Sequence, residues 1–207
     1  MVVEMGAKTG IMPYDSVTEE WYKNRTFEKL KPVYPDEGAR YVETVEFNLD
    51  DLQPQVSIPH NVENSVDVGE VEGLKIQQVN IGSCTNGKYE DLLTASKILN
   101  GRKIAKGIRL FITPASKQIY MKALKEGLIE KMVDSGAIII PPSCGWCCGT
   151  CNGIPSDGEN VIATSNRNFK GRMGNNKANV YLASPATAAL SAITGKITDP
   201  RRMEGIL

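Results

Sequence analysis

The chain has 207 residues, 41% of them hydrophobic and 23% charged, which is ordinary for a globular protein and long enough for one large domain with a smaller piece attached. Lys+Arg and Asp+Glu balance at 24 each, so no electrostatic case exists for nucleic acid or an anionic membrane surface. Apolar runs such as 137–140 are far too short to span a bilayer, and MVVEMGAKTG lacks the pattern of a secretory leader, so a cytoplasmic location is expected. The first element is a helix over 14–24, with Asp15 or Ser16 as its cap and Glu19 and Glu20 in its first turn. Prolines make 30–38 a loop. Apolar and polar residues alternate over 41–48 (YVETVEFN), which predicts a half-exposed strand. The polar, proline-containing stretch 52–64 reads as an extended linker. These features divide the chain into 1–50, a remnant of a preceding α/β domain, a linker over 51–70, and a main domain over 71–207.

From residue 70 the pattern alternates. Strands are expected at 76–81, 108–112, 137–140, 160–164 and 178–182. Helices are expected at 92–99, at 116–126 with a shorter one through Val133, and at 185–194. This order predicts an α/β fold in three layers, α/β/α, with a mainly parallel sheet and helices on both faces. Ligands then bind along the edge formed by the strand C-terminal ends. The tail from Lys196 to Arg202 reads as a solvated end.

Four of the five cysteines fall in SCGWCCGTC, residues 143–151. Five cysteines, an odd number without a leader, favour free thiols or metal ligands over a disulfide framework. A thioredoxin-like reading of Cys144 and Cys147 is disfavoured, because that motif opens its domain and here it follows about 140 residues and two prolines. A zinc site normally pairs two separated knuckles, whereas these two CxxC pairs abut at Cys147 and Cys148. The plain alternative is that cysteines fill a core as small hydrophobes, and this reading suits Cys148 and Cys151 best. Cys84, in the post-strand loop IGSCTNG, adds a third thiolate to Cys144 and Cys147. Three thiolates suit a cubane iron–sulfur cluster with one iron left open for Lewis-acid chemistry.

Several segments together resemble the aconitase superfamily, most closely the C-terminal half of the 3-isopropylmalate dehydratase and homoaconitase large subunit. They are GAKTGIMPYD at 6–15, IGSCTNGKYEDL at 81–92, SCGWC at 143–147, TSNRNFKGRMG at 164–174, the Gln53-Pro54 to Pro59-His60 stretch, and LASPATAALSAITGKITDP at 182–200. The resemblance implies an aconitase-type α/β/α domain and a [4Fe–4S] cluster on Cys84, Cys144 and Cys147. It implies that Asn166, Arg167 and Arg172 surround substrate and cluster, with Arg167 and Arg172 also catalytic. An arginine fork suits a carboxylate, and the less favoured alternative for both residues is a pair of surface or scaffold salt bridges. Glu4 matches an active-site glutamate suited to proton handling, and the only histidine, His60, is expected to be structural. The implied reaction is the hydro-lyase interconversion of a hydroxy di- or tricarboxylic acid, 3-isopropylmalate to 2-isopropylmalate in leucine biosynthesis being preferred. Homoaconitase, aconitase, dimethylmalate dehydratase and an inactive or split fragment are the alternatives. The implied partners are the hydroxy-acid substrate, a small swivel-domain subunit that supplies a serine base, and a separate polypeptide for the missing N-terminal half. Without these the chain is expected to bind a cluster weakly or not at all and not to turn over.

Overall fold

The computed structural model describes residues 2–23, 25–26 and 28–203. Two compact units are separable, one up to residue 52 and one from residue 53 onward. In the first, α1 (Ser16–Lys23) lies between two 3-10 turns, Val2–Met5 and Leu49–Asp51. Asp15 caps α1 as expected, accepting from the Thr18 N–H and hydroxyl at 2.8 Å each. The guanidinium of Arg25 lies 4.2 Å from the Trp21 ring centre. No described residue of this unit is buried. The strand expected over 41–48 has no ladder among the described residues, because a strand needs a partner and none is present there.

The second unit is a seven-stranded sheet. Its strands are β1 (Gln55–Ser57), β2 (Ser65–Asp67), β3 (Gln78–Gly82), β4 (Arg109–Thr113), β5 (Ile138–Ile139), β6 (Asn160–Ala163) and β7 (Asn179–Leu182). Their order is β2-β1-β7-β6-β3-β4-β5. The run from β7 to β5 is parallel, while β1 pairs antiparallel with both β2 and β7. The remaining helices are α2 (Val68–Val71), α3 (Tyr89–Leu99), α4 (Lys117–Lys125), α5 (Leu128–Ser135) and α6 (Pro185–Thr194). Helix α6 begins where Ser184 accepts from the Thr187 N–H at 3.2 Å and Pro185 takes the first turn. No described helix is long and apolar enough to cross a membrane.

The α/β class and the mainly parallel sheet are as the sequence predicts. Side-chain alternation then sends each strand into two cores. On one face Val79, Ile81, Leu110, Ile112 and Ile162 pack against Leu92, Ala95 and Leu99 of α3, Met132 of α5 and Ala188 and Ala192 of α6. On the other face Phe111, Val161, Ala163 and Val180 pack against Trp146, Met173 and Ile140. That second layer comes from a 3-10 turn (Gly145–Cys148) and a loop residue, where the sequence pattern predicts helices. Two further expectations change. The stretch read as a linker contains β1 and the turn to β2, with fully buried Val56 as anchor and Pro54 and Pro59 outside the strand. The tail is not solvated. Ile197 is fully buried and exchanges backbone hydrogen bonds with Leu74 and Gly73 at 2.9 Å, and Arg202 grips Glu72 at 2.5 and 2.6 Å.

Candidate active site

Three loops leave the C-terminal edge of the parallel strands: 83–88 after β3, 141–149 after β5 and 164–174 after β6. Strands β3 and β6 are paired, so their loops are neighbours, and the β5 loop lies two strands from β3, beyond β4. The first turns sharply enough to hold Ser83 (φ 86) and Asn86 (φ 52) in the left-handed region, which side-chain-bearing residues rarely adopt. Hydrogen bonds hold it there. The Asn86 amide donates to the Thr164 carbonyl at 2.8 Å, and the Gly82 N–H donates to the Thr164 hydroxyl at 2.9 Å. The loops of β3 and β6 are thereby tied together. Asn168 extends the tie to the β1–β2 turn, donating to the Ile58 carbonyl at 2.9 Å.

The cysteine loop is held from below. Trp146, between Cys144 and Cys147, is fully buried in the second core. The Cys147 N–H donates to the Cys144 carbonyl at 3.0 Å, and the Ser143 hydroxyl accepts from the Gly145 N–H at 3.1 Å. The loop ends at Gly149, which is left-handed (φ 68) and so close to Gly174 that a Cβ would strike that residue's backbone. One glycine-on-glycine contact therefore joins the cysteine loop to the arginine loop.

Between the loops lies a cavity of about 180 Å³ lined by Ser83, Cys84, Thr85, Cys147, Asn166, Arg167 and Arg172. Arg172 Nη2 stands 3.9 Å from Cys147 Sγ. Two buried polar atoms at this cavity, Arg172 Nε and Asn166 Oδ1, have no protein partner, which leaves a donor and an acceptor for a ligand. Burial pushes the Cys147 thiol above its ordinary value, the Cys84 and Cys144 sulfurs add to the rise, and Arg172 opposes it. Cys144 is exposed and does not line the cavity, although its charge is felt at Cys147. No three His, Cys, Asp or Glu side chains converge on a single-ion position among the described residues. A four-iron cluster asks for something different, since each thiolate takes its own iron.

The other expected residues fall elsewhere. Glu4 is half-buried in the Val2–Met5 turn of the first unit, and the cavity is built wholly from the second. His60 is exposed in the β1–β2 turn. Cys148 and Cys151 do not fill the core. Cys151 is exposed and donates to the Gly145 carbonyl at 2.8 Å, and Cys148 is half-exposed against the Thr150 hydroxyl at 3.0 Å. The left-handed turn at Gly149 carries the chain outward after Trp146 and leaves both thiols near the surface. Ser83, Thr85 and Asn168 escaped the sequence reading. Each sits within a motif already recognised, and only the fold shows that they line or brace the cavity.

The sequence matches the family model described as "Aconitase family (aconitate hydratase)" over residues 1–73 and 67–195. The chain belongs to the aconitase family. Within it the chain is 52% identical over 201 residues to "3-isopropylmalate dehydratase large subunit 1" of Methanopyrus kandleri, covering 97% of this chain and 48% of that protein. It is 50% identical over 205 residues to the "3-isopropylmalate dehydratase large subunit" of Methanoregula boonei (98% and 49%). It is 47% identical over 203 residues to the "Probable methanogen homoaconitase large subunit" of Methanosarcina mazei (98% and 51%). The chain thus spans about half the length of the curated aconitase-family relatives it matches.

Proposed function

We propose that this chain is the cluster-bearing portion of a hydro-lyase large subunit that acts on a hydroxy di- or tricarboxylic acid. The observation that carries this is the joint lining of one cavity by two cysteines, two arginines and an asparagine from separate loops. Cys84, Cys144 and Cys147 would hold a [4Fe–4S] cluster. When bound, that group supplies a Lewis-acid iron without a protein ligand. The unpartnered Arg172 Nε and Asn166 Oδ1, in a cavity that Cys84 and Cys147 also line, support the fit. An arginine fork matches a carboxylate bidentately, so Arg167 and Arg172 hold and orient the substrate's carboxylates. Asn166 Oδ1 accepts from a substrate hydroxyl. Glu4 takes part in proton handling, and the base that removes the carbon-bound proton comes from the small swivel-domain subunit.

The names of the relatives favour the interconversion of 3-isopropylmalate and 2-isopropylmalate in leucine biosynthesis, a cytoplasmic process. One of the relatives quoted keeps homoaconitase as the second reading. Anaerobic iron–sulfide reconstitution, read by iron counting and EPR, tests the assignment. Uptake that survives Cys148→Ser and Cys151→Ser but fails in Cys84→Ser is the expected result. Uptake indifferent to Cys84→Ser would sink it.

A further inference from the structure

Two thiols of the cysteine loop have no task in the site. Of this loop's cysteines only Cys147 packs against the second core, and neither Cys148 nor Cys151 lines the cavity. Both are free, Cys151 exposed and Cys148 half-exposed. The backbone nevertheless brings them to one point. Gly145–Cys148 is a 3-10 turn, in which the Cys148 N–H donates to the Gly145 carbonyl. The Cys151 thiol donates to that same carbonyl at 2.8 Å. Its sulfur therefore lies no more than about 6 Å from the Cys148 amide nitrogen. The Cys148 sulfur in turn lies 3.0 Å from the hydroxyl of Thr150, the residue bonded to Cys151. The chain makes this return at Gly149, whose left-handed conformation (φ 68) reverses it after the turn.

We propose that Cys148 and Cys151 form a reversible thiol-oxidation site, a dithiol that a low-molecular-weight disulfide closes to an internal bridge. A bridge needs the two Cα atoms within about 7 Å. Only two residues separate this pair, on a turn where one sulfur already reaches the carbonyl that holds the other residue's amide. The Cys151 sulfur, the more exposed of the two, attacks a sulfur of the small disulfide and forms a mixed disulfide. One small thiol leaves and takes the Cys151 proton. The Cys148 sulfur then attacks the Cys151 sulfur, and the second small thiol leaves with the Cys148 proton. Two protein thiols are oxidised, and one small disulfide is reduced to two thiols. An exposed bridge is of the labile kind, so the same small thiol in excess reopens it. The other sulfurs are less well placed. Cys147 lines the cavity, Cys84 comes from the loop of β3, and Cys144 caps the opposite, N-terminal end of the 3-10 turn. Closing the bridge removes the proton that the Gly145 carbonyl accepts from Cys151, so the change is felt in the peptide next to Cys144. The chemistry needs no iron and does not rest on the hydro-lyase reading.

The test uses the full chain under anaerobic conditions, with glutathione disulfide as the oxidant. Samples are quenched with an alkylating reagent, and the thiols are counted and mapped by peptide mass spectrometry. The reduced chain has five free thiols. The first product expected has three, with Cys148 joined to Cys151 and no glutathione attached, because the intramolecular second step outruns release of the adduct. Excess reduced glutathione should return the count to five. In Cys148→Ser the bridge cannot close, so the adduct on Cys151 should persist and add the mass of one glutathione. In Cys151→Ser the first reaction of Cys148 should slow at least about threefold, since the more exposed sulfur is gone. Both side chains lie outside the cores, and unchanged far-UV dichroism and melting of each variant confirm that it folds. A first bridge between Cys144 and Cys147, or between Cys144 and Cys151, overturns the proposal. So do glutathione adducts that persist on Cys148 or Cys151 of the wild-type chain, failure of both thiols to react, and a Cys148–Cys151 bridge that reduced glutathione does not open. The Cys84-dependent uptake of iron is measured separately on the reduced chain, so the hydro-lyase assignment and the oxidation site can fail independently.

Discussion

Replacing Gly149 with alanine tests whether the two site-bearing loops are held by a backbone contact. Two costs apply. A side-chain-bearing residue in the left-handed region costs about 1 kcal/mol. The added Cβ also meets the backbone of Gly174, and overpacking against backbone costs about 2 kcal/mol. The sum, about 3 kcal/mol, corresponds to a fall in Tm of about 6–12 °C for a unit of this size. Gly158→Ala is the control. Its φ of 73 is similar, yet nothing lies within 4 Å of its Cβ position, so only the conformational cost of about 1 kcal/mol applies, a fall of about 2–4 °C. Gly149→Asn separates the two terms further, because asparagine tolerates the left-handed region and keeps the collision. Thermal melts followed by far-UV dichroism decide the matter. Equal shifts for Gly149→Ala and Gly158→Ala, or a wild-type Tm for Gly149→Asn, would refute the reasoning.

Two further outcomes follow from the same frame. Trp146→Ala removes the largest fully buried side chain of the second core and should cost about 3–5 kcal/mol, seen as a lower urea midpoint, whereas Trp146→Phe should cost clearly less because its partnerless indole N–H also disappears. Arg109 grips Glu159 at 2.5 and 2.9 Å and Gln78 at 2.9 Å, and this holds the Glu159 carboxyl below its ordinary value. A depressed carboxylate stabilises the fold above its unfolded pKa of about 4.3 and loses that contribution as pH falls through the folded value. Arg109 is 40% exposed, which limits the pair to about 1 kcal/mol. The gap in urea midpoint between wild type and Arg109→Met should therefore be widest near neutrality and close in acid; a gap that widens below pH 4 contradicts it.

The main sheet and its helices were legible because each carries its own signal. Ile138 and Ile139 lie in an apolar run, and Ser184-Pro185 opens a helix that ends at Gly195. The short hairpin of β1 and β2 was not legible, since three-residue strands give alternation too little length to register. The tail from Lys196 to Arg202 misled for a related reason. Its charged residues are real, but Ile197 and Asp199 between them are buried by contacts distant in sequence. At the site, Cys84, Cys147, Asn166, Arg167 and Arg172 were found through their motifs. Their convergence depends on strand order, which places β6 and β3 side by side although 77 residues separate Asn160 from Ser83. Cys148 and Cys151 were misjudged because burial follows the turn at Gly149 and not residue type.

The placement of Trp146 has a consequence for how the site meets its ligands. The residue that anchors the second core stands between Cys144 and Cys147, so ordering that loop is part of folding the sheet. Much of its conformational entropy is lost when the chain folds, so less remains to be lost on binding a ligand. A loop anchored in this way is preorganised by the core beneath it.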